Sequence, residues 1–150
     1  MTTTGQRIMG VDYGDKRIGV ALSDPLRIMA SPFTIISRTM ESQDISALVD
    51  IVKEKDVGRI IIGLPISMDG SLGPQAEKVK AFGGELGRNT DIPIEFRDER
   101  LTTVEARELV QKARKTDHKT RYDAAAAALI LQDYLDSQSE RRGIPGKSFL

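Results

Sequence analysis

Residues 59–65 read RIIIGLP, an unbroken apolar run between an arginine and a proline. Such a run has no polar face to offer water, so a strand built from it must be covered on both sides, as parallel strands are by crossover helices. A chain that holds this segment therefore belongs to the α/β class. Its 150 residues are the usual size of one domain with a real core. The expected organisation is one domain over 1–150, with an ordered core at about residues 6–137 and flexible ends.

The start of the chain adds a second constraint. RIMGVDY and RIGVALS flank GDK, which reads as a hairpin with Gly14 available for positive φ. A third short strand is expected after Pro32 at FTIIS. Ile45, Leu48, Val49 and Val52 then recur at helical spacing, with Ser42 as N-cap and an end near Val57-Gly58. After RIIIGLP, the residues Val79, Phe82 and Leu86 mark a second helix, weakened by Gly83 and Gly84. IPIEFRDE is a further strand, and TTVEARELVQKARK and RYDAAAAALILQDYLDS are two more helices, followed by the tail ERRGIPGKSFL. The order β-β-β-α-β-α-β-α-α is an antiparallel meander extended by βα crossovers, which makes a mixed sheet with helices on its faces.

Composition narrows the chemistry. The chain has no cysteine and one histidine, so disulfides, thiolate zinc sites and cysteine nucleophiles are excluded, and carboxylates are the plentiful metal ligands. Hard, oxygen-preferring ions are favoured. Lys and Arg total 22 and so do Asp and Glu, so whole-chain charge argues for no particular partner and the placement of charge must decide. No apolar run approaches the roughly 20 residues that span a bilayer, and MTTTGQR lacks the apolar stretch of a signal peptide. A cytoplasmic protein with no membrane partner is expected.

Three acidic features fall at element ends. Asp12 interrupts the first apolar strand, Asp98-Glu99 ends the last strand, and Asp123 opens the final helix. Each also has a structural reading: Asp12 as a turn residue before Gly14, Asp98 and Glu99 as a strand end salted by Arg97 and Arg100, and Asp123 as half of a Thr120-x-x-Asp123 capping box. Together they suggest a site at the strand ends, where converging carboxylates would repel without a cation. Mg2+ or Mn2+ suits them, and a pair of such ions about 3.5 to 4 Å apart activates water and stabilises the leaving oxygen in phosphodiester cleavage. The segment KARKTDHKTR, residues 112–121, carries five cations against one aspartate just before Asp123, which suits a polyanion. Its solvated-surface alternative needs no ligand, and His118 within it reads as a surface side chain. Aromatic residues are only 5% of the chain, so base reading by stacking is not evident.

Four blocks, GVDYGDKRIGVALSD, IIGLPISMDGS, FRDERLTTVEA and YDAAAAALILQDYL, resemble in order the small bacterial YqgF family, also called RuvX, whose members are described as Holliday junction resolvases and pre-16S rRNA nucleases. The likeness runs from about Arg7 to Leu135. It implies an RNase H-like fold with a five-stranded mixed sheet flanked by helices. It also implies that Asp12, Glu99 and Asp123 are the catalytic, metal-holding carboxylates for two divalent ions. Strand alternation sets Asp98 with Ile94 and Phe96, opposite Glu99, so Glu99 is preferred and Asp98 is the alternative. Arg100, Lys119 and Arg121 are candidate phosphate contacts, and Gly14 and Gly19 would leave room for a phosphate at the hairpin. Ser67 stands where the family often has Asn.

The leading expectation is a metal-dependent nuclease processing the 5′ end of pre-16S rRNA, with Holliday junction resolution second. A non-catalytic nucleic-acid-binding domain would not gain from three acids facing a polyanion. An ATPase of the actin and Hsp70 type closes two such domains over its nucleotide, and one is present here. RNA against DNA, and monomer against homodimer, stay open.

Overall fold

The computed structural model describes residues 6–67, 69–98 and 122–141, with side chains for all of these except 122, 123 and 139–141. Its elements are β1 (Arg7–Tyr13), β2 (Arg17–Ser23), β3 (Ala30–Ser37), α1 (Glu41–Glu54), β4 (Val57–Leu64), α2 (Pro74–Gly87), β5 (Ile94–Asp98) and α3 (Tyr122–Arg141). The sheet order is β3-β2-β1-β4-β5. β1 pairs antiparallel with β2, as β2 does with β3, while β4 lies parallel to both β1 and β5. This is the mixed five-stranded sheet expected, with β1 at its centre. The chain leaves β1 toward one edge and later returns to its other side, so the order reverses there, where sites of open α/β sheets collect.

Alternation along each strand sorts the side chains onto two faces. Met9, Val11 and Tyr13 of β1, Ile18, Val20 and Leu22 of β2 and Ile60 and Ile62 of β4 join Ile45, Leu48 and Val52 of α1 and Val79, Phe82 and Leu86 of α2 in the larger core. Ile8, Ala21 and Ile61 face the other way and pack with Ala127, Ile130, Leu131, Tyr134 and Leu135 of α3. β4 thus buries Ile60, Ile61 and Ile62 completely, one of them to the opposite face from the other two. The all-apolar run demanded this two-sided cover.

Several boundaries differ from those expected. β3 starts at Ala30 and contains Pro32, because it is an edge strand whose proline sits beside the register shift at Val20/Ala21 and has no ladder hydrogen bond to donate. α1 begins at Glu41 with Met40 as N-cap and no side-chain cap bond, so Ser42 lies inside the helix. The carboxylate of Asp44, buried at 3% exposure, accepts the Thr39 amide at 3.1 Å instead. α1 stops at Glu54; Asp56 takes a left-handed φ of 56°, and Val57 and Gly58 already belong to β4. β5 is shorter than IPIEFRDE within the described residues, starting at Ile94 after Pro93. The final helix runs on to Arg141, which takes the first two residues of the expected tail. The helix expected over TTVEARELVQKARK lies outside the described residues.

Gly14 does not have the positive φ expected of it; among the described glycines only Gly70 does, at 89°. The hairpin needs Gly14 for closeness instead. Its amide donates to the Arg17 carbonyl at 2.9 Å, and a Cβ at position 14 would stand 2.8 Å from that oxygen. The space beside Gly14 is filled by backbone, not open to a phosphate.

Candidate active site

Asp12 is not a turn residue. It is the sixth residue of β1, set opposite Gly19 of β2 and only 3% exposed. Its neighbours Val11 and Tyr13 face the larger core, so Asp12 shares the other face with Ile8 and Gly10, the face that α3 covers. A carboxylate held so far from water is costly unless cations or donors meet it, which is the condition of a metal-ligating or catalytic acid rather than of a surface turn.

α3 lies unusually close to this strand. A Cβ at Gly10 would come within 2.8 Å of Leu131 Cβ and 2.9 Å of the Ala127 carbonyl oxygen. Farther along α3, Tyr134 and Leu135 pack with Ile8. The helix therefore runs back toward the start of β1 and brings its own first turn, which contains residue 123, to the Asp12 end. From Ala127 to residue 123 is one turn, about 6 Å. Gly10 to Asp12 is two strand steps, about 6.6 Å. Backbone position thus favours Asp123 as a neighbour of Asp12, while its side chain lies outside the described set.

Asp98 is on the wrong face. It stands in register with Leu64, and Leu64, Ile94 and Phe96 pack against the larger core, so alternation turns Asp98 away from Asp12. Glu99, Arg100, His118, Lys119 and Arg121 lie outside the described residues, as does the Thr120 half of the capping box. Arg97 reaches across to α3. Its Nε donates to Asp133 Oδ2 of α3 at 2.8 Å, and its guanidinium lies 5.8 Å from the Tyr134 ring centre. That bridge ties β5 to α3 on the Asp12 face.

Among the described residues no group of three or more His, Cys, Asp or Glu could hold a metal ion. Two of the three expected ligands have side chains outside that set. The donors available still fit a hard ion: with no cysteine and one histidine in the chain, carboxylate oxygens are what a metal here would meet.

Two loops border the sheet. In the β4–α2 loop, Gly70 donates to the Ser67 carbonyl at 2.8 Å, and Asp69 Oδ1 accepts both the amide and the hydroxyl of Ser71. This is the Asp69-Gly70 turn read in the sequence, and it accounts for the loop without a substrate. A second organiser was missed. The Asp24 carboxylate accepts the amides of Leu26, Ile28 and Met29 at 3.0, 2.8 and 2.7 Å, holding the β2–β3 loop. Desolvation pushes this carboxyl up, and the amides of Met29, Ile28 and Leu26 outweigh it, leaving the group below its ordinary value. The Asp-Pro dipeptide at 24–25 was the signal. Beside the hairpin, Arg38 Nη1 donates to the carbonyls of Gly14 and Asp15, both at 2.9 Å, and its guanidinium lies 4.5 Å from the Tyr13 ring centre. This clamps the turn that follows Asp12.

The fold and the sequence match known proteins. A solved structure of Thermus thermophilus RuvC in complex with a Holliday junction substrate superposes with a TM-score of 0.60 at 10% identity, covering 92% of this chain and 96% of that one. The yeast mitochondrial Holliday junction resolvase Ydc2 gives 0.57 at 10% identity, over 95% and 83%. These likenesses establish the RuvC-like RNase H fold. In sequence, a Dehalococcoides mccartyi protein named "Putative pre-16S rRNA nuclease" is 52% identical over 123 residues, 82% of this chain and 92% of the relative. A Roseiflexus protein of the same name is 44% identical over 140 residues, 92% and 99% of the two chains. No helix among the described residues is long and apolar enough to cross a membrane. A family model described as "RuvX: Holliday junction resolvase" matches residues 6–137, and the chain belongs to that family.

Proposed function

We propose that this chain is a metal-dependent nuclease that hydrolyses a phosphodiester bond of pre-16S rRNA near its 5′ end. The observation that carries this reading is the buried Asp12 on the central strand, facing α3 at the end where that helix begins. Membership of a nuclease family and the relatives named for pre-16S rRNA supply the reaction and the substrate. A four-way DNA junction is the second reading, favoured by the family description.

In this mechanism Asp12, Glu99 and Asp123 would hold two Mg2+ or Mn2+ ions. Bound there, the ions supply a nucleophilic water at neutral pH and neutralise charge on the leaving oxygen. The chain's own residues supply position. β1 fixes Asp12 within the sheet, and the close seat of α3 on Gly10 fixes the helix that carries Asp123. The N-terminal end of a helix favours negative charge nearby. Arg100, Lys119 and Arg121 would hold the phosphates flanking the cut.

The test incubates the full chain with Mn2+ or Mg2+ and either a pre-16S rRNA 5′ fragment or a four-way DNA junction, beside Asp12→Asn. Cleavage of the rRNA fragment is expected, reduced by more than about a hundredfold in the variant, beyond what loss of a supporting group around a metal costs. Cleavage that survives the substitution removes Asp12 from the mechanism. Cleavage of the junction alone selects the second reading.

A further inference from the structure

A cavity of about 420 Å³ opens at the other end of the sheet, where β1 and β4 begin. Arg7 of β1, Arg27 of the β2–β3 loop and Arg59 of β4 line it, with Ile8, Pro93 and Leu135 as apolar wall. Among the described residues, Gln6, Gly58, Tyr134 and Gln138 complete the lining, and none of these lining residues is a carboxylate. In a chain whose formal charge is zero, Arg27 and Arg59 come to this lining from two separate elements, while Arg7 Nη1 donates to the Lys55 carbonyl at 3.5 Å. Arg59 is partly engaged, its Nη1 lying 3.4 Å from Glu95 Oε1, with both side chains about two-fifths exposed. The volume lies in the range of small-molecule sites and exceeds what a bare phosphate needs, while guanidinium forks are the side chains best shaped for phosphate oxygens.

We propose that this cavity binds a phosphate esterified to a nucleoside, with Arg27 and Arg59 on the phosphate and the apolar wall against the sugar or base. The ligand is either a free mononucleotide or one nucleotide of a longer strand. From Arg7 to Asp12 is five strand steps, about 17 Å, so the phosphate held here is not the one cut at Asp12. Binding at this place needs no divalent ion and no cleavage.

The experiment titrates the full chain in EDTA with AMP, with inorganic phosphate and with a 20-nucleotide single strand, following binding by calorimetry. Saturable binding of one ligand per chain is expected, weakened about tenfold by Arg59→Gln and by Arg27→Asn. Asn is used at position 27 because that residue has φ 61°, which Asn tolerates. Glu95→Gln, which removes the carboxylate competing for Arg59, is expected to tighten binding, a change that loss of folding cannot imitate. AMP saturating without competition from the strand identifies a free nucleotide. The strand binding with the same response to the variants, and AMP failing to saturate, identifies a nucleic-acid phosphate. The proposal is overturned by no saturable binding of any probe, or by variants of unchanged melting temperature that bind as the parent does. Because no metal is present, neither result depends on the nuclease reading.

Discussion

The two faces of the sheet are built differently. Against α1 and α2 the strands set large side chains, Met9, Ile18, Ile60 and Ile62 meeting Leu48, Phe82 and Leu86, with the Tyr13 and Phe82 rings stacked at 4.2 Å. Against α3 they set Gly10 and Ala21, and the helix answers with Ala124, Ala126 and Ala127, all buried. One face is thick and apolar. The other is close and carries the buried Asp12 and the Arg97–Asp133 bridge. Burial of large side chains stabilises through area removed from water, whereas a glycine-to-helix approach stabilises little and fixes distance. The thick face holds the fold together, and the close face sets where Asp12 stands relative to the helix beginning at Tyr122.

Substitutions on each face should separate these roles. Phe82→Ala removes a ring that is 1% exposed and stacked on Tyr13. A loss of about 3–5 kcal/mol is expected in urea unfolding. Cleavage by the fraction that remains folded should stay near the parent rate, and a parallel collapse of cleavage per folded molecule would break the distinction.

Gly10→Ala is the counterpart, expected to cost about 1–3 kcal/mol by overpacking, because its Cβ would meet a backbone oxygen that cannot swing aside. Here cleavage should fall further than stability, since the relief available is movement of α3 away from β1. Gly83→Ala meets the Phe96 ring on the thick face. It should destabilise to a similar degree without that excess loss of cleavage.

The limits of the sequence reading follow the same division. β1 and β2 were legible residue for residue, because an apolar strand facing two ways leaves no choice of ends between Arg7 and Ser23. Alternation within IEFRD sets Asp98 with Ile94 and Phe96, a local rule applied to a local pattern, and the register with Leu64 keeps that face. The end of α1 was missed because apolar Val57 continues its periodicity, and only the left-handed Asp56 shows that the chain has turned. The Arg97–Asp133 bridge joins residues 36 apart, and its partners depend on how α3 is rotated over the sheet, which no local pattern reports. For the site, Asp12 and the α3 start were legible as places. Glu99, Arg100, Lys119 and Arg121 lie outside the described residues, so their roles rest on resemblance.

Asp24 offers a test at the margin of the close face, since Gln132 of α3 donates to the Ile28 carbonyl and accepts the Ala30 amide in the loop Asp24 organises. Its carboxyl titrates below the ordinary value in the folded chain. Its contribution to stability is therefore present above the unfolded pKa of about 3.9 and is lost as pH falls through the lower folded value. Asp24→Asn should cost about 1 kcal/mol at pH 7, as loss of a capping carboxylate does. The gap between variant and parent should close on acidification below about pH 3.9, the ordinary carboxyl value. A gap independent of pH would show that the charge is not what holds the loop.

Gly84 gives the smallest expected change and the control for the whole comparison. It follows Gly83 in α2, yet it is exposed, and a Cβ there meets nothing within 4 Å. Alanine at this place keeps every contact of the thick face and removes backbone freedom from the unfolded chain. Gly84→Ala should raise stability by about 0.5–1 kcal/mol and leave cleavage untouched. Adjacent glycines of one helix would then respond with opposite sign, because Phe96 occupies the space beside one and nothing described occupies the space beside the other. If both substitutions destabilise, helix entropy is not the governing term at position 84, and the separation of packing from propensity on this face fails.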